Sequence, residues 1–134
     1  MTQEDKELLL KDLCARLPYF PKVEITVREE TQITHLWMGD EGFNGGVNIN
    51  HIKPFLRSLE SMTEEEKRHF FALSTAVKYA TSPIVAMEEH FINFNSVKYG
   101  QELVDWLNAN HFDYRGLIPK GLAIEVTEEN NPYI

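Results

Sequence analysis

The sequence predicts an α+β fold: a small antiparallel sheet of about three to five strands, a meander or partly open barrel, packed with about three helices. Three observations carry this expectation. Val23, Ile25 and Val27 alternate with Glu24, Thr26 and Arg28, the period-two pattern of a half-buried strand. Thr2 and Thr63 each stand before a stretch with helical apolar spacing, with an acid three residues on, the arrangement of a capping box. Leu103, Trp106, Leu107 and Asn110 fall at i, i+3, i+4 and i+7, the stripe of an amphipathic helix.

The first helix is expected from about Gln3 to Arg16, with Asp5 at the third helical position and Pro18 stopping it. Its apolar stripe is read as Leu10, Leu13, Cys14 and Leu17, which makes Cys14 a buried structural thiol. Pro18-Tyr19-Phe20-Pro21 is a stiff connector, and the strand of Val23, Ile25 and Val27 follows it. Glu29-Glu30 marks a turn, and Ile33 to Met38 reads as a second strand. The glycine-rich stretch Gly39 to Gly46 contains Asn44-Gly45, a tight-turn dipeptide, and matches no phosphate-binding fingerprint. Val47-Asn48-Ile49-Asn50 alternates and is expected to return as a third strand. Ile52 to Leu56 holds Pro54, which argues for a piece crossing the sheet edge and against a central strand.

Thr63-Glu64-Glu65-Glu66 is the clearest helix start: a cap, a closing Glu66, and acids on the positive end of the dipole. Phe70, Leu73, Ser74 and Val77 continue its stripe to about Lys78 or Tyr79. Ile84 to Val97 reads as a short helix or turn and then a strand around Ile92-Asn93-Phe94-Asn95. The Trp106 helix is expected from about Tyr99, with Trp106 as its main buried surface. Pro119-Lys120-Gly121 is a turn leading into an extended Leu122 to Val126, and 127–134 forms a polar, flexible tail.

A chain of 134 residues with 43% hydrophobic residues matches one domain with one core, residues 1–134. A single cysteine excludes an intrachain disulfide and suits a reducing, cytoplasmic setting. No apolar run approaches the ~18 residues that suggest a membrane span, so no membrane partner is expected. The formal net charge of -8 disfavours nucleic acid as a partner. The five histidines show no ligand spacing, so neither a metal nor another cofactor is expected.

The candidate site is the helix end that carries Trp106, His111, Asp113, Tyr114 and Arg115. Asn110 and His111 suit a helix C-terminus, where a charged His complements the dipole. Asp113 and Arg115, two apart on an extended chain, would share one face and pair there. Aromatic and arginine groups are enriched at protein-contact hot spots, which makes this cluster a candidate recognition patch. No catalytic residue is assigned.

The stretches "MTQEDKELLLKDLCARLPY", "IKPFLRSLESMTEEEK" and "DWLNANHFDYRGLIPKGLAIEV" resemble a family of uncharacterised small proteins encoded by gut bacteria and their prophages. The resemblance implies a small accessory protein of mobile-element origin and carries over no catalytic residue. Three functions are then expected in order. The first is an intracellular protein-binding module. The second is a small-ligand or nucleic-acid binder using the sheet face, with Trp37 and Phe43 as stacking groups. The third is a small hydrolase whose site assembles only on folding.

Overall fold

The computed structural model describes residues 1–36, 48–80 and 94–134. Among them it forms three α-helices and a four-stranded sheet, an α+β fold. The chain divides into two compact units, Met1–Leu59 with Asn108–Ile134, and Glu60–Leu107.

In the first unit, α1 (Gln3–Arg16) begins with the expected capping box: the Asp5 amide donates to Thr2 Oγ1 at 3.1 Å, and the Thr2 amide donates back to the Asp5 carboxylate at 3.4 Å. Its buried face differs from the expected stripe. Leu9, Asp12, Leu13 and Arg16 point inward, whereas Leu10 and Cys14 are exposed. The charges at positions 12 and 16 neutralise each other in the interior, so the true stripe lies one residue back from the purely apolar one.

Strand β1 (Lys22–Val27) pairs antiparallel with β2 (Glu30–His35), and the turn puts both Arg28 (φ 52) and Glu29 (φ 68) in the left-handed region. Two such residues make the turn that matches strand twist, here without the glycine that usually supplies it. The alternating Ile49 and Asn50 do not form the third strand. The Asn48 side chain accepts the Asn50 amide at 2.9 Å, and Ile49–His51 closes into a single 3-10 turn. The third strand is β3 (Ile52–Leu56), next to β1 with Val23 opposite Pro54. Pro54 is tolerated in this inner strand because β4 (Ile124–Glu125) pairs only with Phe55 and Leu56, after the proline. The strand order is β2-β1-β3-β4 and the last pair is parallel. The sheet is therefore mixed, mostly antiparallel and not closed among the described residues, with β1 between β2 and β3. Leu9 and Leu13 of α1 pack with Val23, Ile52, Leu56, Leu117, Leu122 and Ala123 to form the core of this unit. The expected turn before β4 is present: the Gly121 amide (φ 72) bonds the Ile118 carbonyl at 3.0 Å, and the extended piece then docks through Val126 N–H to Leu56 O at 2.8 Å.

The second unit contains α2 (Glu64–Ala80) and most of α3 (Phe94–Ala109). The Thr63–Glu66 capping box is present in both directions, at 2.9 and 3.1 Å. Helix α3 starts earlier than its stripe suggests and takes in Phe94 and Asn95, which alternate like a strand in sequence. Trp106 is only partly buried, 5.0 Å from the His69 ring and 6.4 Å from that of Phe70, while Leu107 beside it is buried. The expectations for Trp37, Phe43, the glycine-rich stretch and Ile84 to Asn93 lie outside the described residues.

Candidate functional site

The end of α3 and the segment after it collect the candidate residues of the first unit. Past Ala109 the chain turns at His111, whose φ of 62 ends the helix as a left-handed cap, with its amide on the Asn108 carbonyl at 3.1 Å. The segment then runs parallel to the continuation of β3. Arg57 N–H donates to His111 O at 2.7 Å, and Asp113 N–H to Arg57 O at 2.8 Å. This places Phe112 in the interior under the Arg57 guanidinium, which lies 4.3 Å from the ring centroid.

Asp113 and Arg115 do not form the expected surface pair. Asp113 is buried, and its two carboxylate oxygens accept the amides of Leu117 and Ile118, each at 2.9 Å. It caps the following turn as a side-chain acceptor. Arg115 reaches instead to Asp12 of α1, at 2.9 Å. The other oxygen of Asp12 holds Arg16 Nε at 2.8 Å, and Arg16 Nη2 donates to the Phe112 carbonyl at 2.6 Å. Asp12 and Arg16 are both 0% exposed. The Tyr114 ring lies near both guanidiniums, 5.3 Å from Arg16 and 4.6 Å from Arg115, and its hydroxyl donates to Asn108 Oδ1 at 2.8 Å. One buried carboxylate thus serves two arginines, the arrangement in which loss of the acid costs most.

His111 stacks on Tyr133 with ring centroids 3.9 Å apart and planes 10° from parallel. Burial pushes its pKa down to about 4, helped by the charges of Arg16 and Arg57. It is therefore neutral at pH 7 and does not complement the helix dipole as a cation. Tyr133 receives the Lys22 amide at 3.0 Å and donates to Phe55 O at 2.8 Å, and burial raises its phenol to about 12. The polar tail thus carries one residue that ties the start of β1 to β3.

The structure brings together four of the five candidate residues: His111, Asp113, Tyr114 and Arg115. Trp106 belongs to the other unit. Asp12, Arg16, Arg57 and Tyr133 join the cluster without having been expected there. Asp12 and Arg16 could have been found from their i, i+4 spacing on the face of Leu9 and Leu13; Arg57 and Tyr133 carry no such local signal. The cluster's carboxylates are both engaged and its histidine is neutral, so it acts as a fastening of α1, β3 and the C-terminal segment. Among the described residues, no three His, Cys, Asp or Glu side chains converge as a metal site.

A second feature is at the other side of the sheet. A shallow groove of about 420 Å³ is lined by Ile25, Val27, Arg28, Glu30 and Gln32. Beside it, every residue of β2 except Thr34 is exposed. Comparison with protein-family models, with curated proteins and with solved structures finds no match.

Proposed function

We propose that this chain is a protein-binding module, an accessory protein of mobile-element origin, and that its contact surface is the edge strand β2. The observation that carries the reading is the state of that edge. Among the described residues β2 is paired on one side only, by β1. Its sequence, Glu30-Thr31-Gln32-Ile33-Thr34-His35, has no proline or lysine, the residues that commonly blunt an edge against pairing. Ile33 is 56% exposed on one face, and Val27 is exposed beside the groove on the other. Such an edge suits addition of an extended partner segment: main-chain hydrogen bonds supply affinity, and alternate side chains supply specificity. The net charge of -8 favours a segment that is neutral or basic.

A linear peptide library displayed against the whole protein tests the proposal. The expected outcome is enrichment of extended sequences with alternating apolar residues, whose binding slows hydrogen exchange at β2 amides and weakens in Ile33→Lys. Binders that protect another region and ignore Ile33→Lys would overturn it.

A further inference from the structure

The register of β2 on β1 fixes which of its main-chain groups face inward. The ladder opens on Val27 opposite Glu30, across the turn of Arg28 and Glu29, and ends beyond His35 on the Leu36 amide, which donates to the Pro21 carbonyl at 2.8 Å. In an antiparallel pair, bonded and non-bonded positions alternate. Glu30, Gln32 and Thr34 therefore turn their amides and carbonyls towards β1, and Thr31, Ile33 and His35 turn theirs away from it. The side chains agree. Thr26 and Thr31, opposite each other, bring their hydroxyls to 3.3 Å, as the closer, non-bonded pairs do. Among the outward residues Ile33 stands in the middle and is the exposed apolar one.

We propose, resting on the reading of β2 as the contact surface, that β2 of a second copy of this chain covers it when no other segment does. The order of the outward residues carries the proposal. A strand set antiparallel to itself about a two-fold axis at Ile33 places Ile33 against Ile33, with Thr31 against His35 on either side. Every outward position then falls in a bonded pair, which exchanges two main-chain hydrogen bonds. Sliding the register by two residues leaves an end unmatched, and sliding it by one sets outward groups against inward ones. Charge allows the same register. Glu24 stands between Lys53 and Ile33 across the sheet, so the isoleucine pair keeps the two Glu24 side chains apart. Gln32 meets Thr34, and along 31–35 no carboxylate meets a carboxylate and no cation a cation. One short strand per copy is a small contact, of the kind that forms and exchanges. The dimer thus guards the edge and yields it to a better-matched segment. Each copy carries a formal charge of -8, so the two repel at long range, and salt that screens the repulsion tightens the pair. A basic segment bound at β2 is weakened by salt instead.

Sedimentation equilibrium of the whole chain over a concentration series, in low and high sodium chloride, is the first test. The mass is expected to rise from one chain towards two, at lower concentration in high salt, and Ile33→Lys should hold it at one. The second test traps the register. Gln32→Cys and Thr34→Cys chains, each also carrying Cys14→Ser, are mixed in a glutathione redox buffer. Positions 32 and 34 face each other in the proposed seam with Cα atoms about 4.5 Å apart, within disulfide reach. Mixed 32–34 dimers are expected well above chance pairing, and Ile33→Lys in both chains should abolish the excess. A single-chain mass at every concentration in both salts, a dimer indifferent to Ile33→Lys or loosened by salt, or cross-linking at chance would overturn the proposal. Peptide capture separates that outcome from failure of the contact surface itself. A monomer whose β2 still binds extended peptides removes the dimer alone, whereas a dimer and peptides that both ignore Ile33→Lys remove β2 as the surface.

Discussion

The two sides of the sheet handle their backbone in opposite ways. On the β3–β4 side the strand β3 and its continuation are fastened: Leu56 O receives Val126 N–H, Arg57 exchanges two bonds with 111–113, and Tyr133 bridges Lys22 and Phe55. On the β1–β2 side the core thins out along the arm. Val23 is buried, Ile25 half-buried and Val27 exposed, and β2 faces outward with no second ladder among the described residues. The contrast shows where this chain places its charges. Asp12, Arg16, Asp113 and Arg115 are used to lock one side, and the other side keeps an exposed, extended strand around Ile33 that starts at Glu30.

The comparison can be broken most severely at Asp12. Asp12→Ala leaves Arg16 buried without its counter-ion and releases Arg115, and is expected to destabilise by about 3–5 kcal/mol, measured by urea denaturation followed by circular dichroism. Asp113→Ala orphans the Leu117 and Ile118 amides and should cost about 2–3 kcal/mol in the same assay. The next effect is one of pH. The pKa of His111 falls from 6.5 to about 4 on folding, so between these values the unfolded chain binds more protons. The stabilisation is complete above about pH 6.5 and is lost as the pH falls towards 4. Allowing for partial exposure, it amounts to about 1–2 kcal/mol. Denaturation midpoints of the wild type and His111→Gln, compared between pH 7.5 and 4.5, should differ in slope. Tyr133→Phe removes the hydroxyl that joins Lys22 and Phe55 and is expected to cost about 1 kcal/mol. Ile33→Lys, on the open side, should change stability by less than about 0.5 kcal/mol while weakening capture of extended peptides. A large destabilisation there would mean that the arm carries the fold and is no free edge.

Local signals are legible in the sequence, and distant ones are not. The capping boxes at Thr2–Asp5 and Thr63–Glu66, the β1 alternation and the Pro119–Gly121 turn each depend on neighbours a few residues away, and each is present. The face of α1 was misplaced because Asp12 and Arg16 look solvated until Phe112 and Arg115 supply their partners. Asp113 and Arg115 look like a pair because they are close in sequence, yet Asp113 serves two amides and Arg115 crosses to α1. Pro54 argues against an inner strand only where a neighbouring ladder needs its amide, and the parallel pairing with β4 starts one residue later. Of the candidate site, the residues of the 111–115 segment were visible as a cluster. That the cluster faces inward was not, since burial of charge depends on partners the local sequence does not display.

The hydrogen bond from Arg16 to Phe112 spans 96 positions, and the bridge from Arg115 to Asp12 spans 103. During synthesis α1 is made before 112–115, with the apolar face of Leu9 and Leu13 and a charged pair that has nowhere to be buried. Loop closure over such a span must precede the contacts that reward it, which slows folding. Helix α1 therefore waits for Phe112 and Arg115 before its inner face is complete. Until Phe112 and Arg115 arrive, the first unit has strands but no fastening, and it is in that interval that the outer side of β2, unpaired among the described residues, is most exposed to wrong pairing.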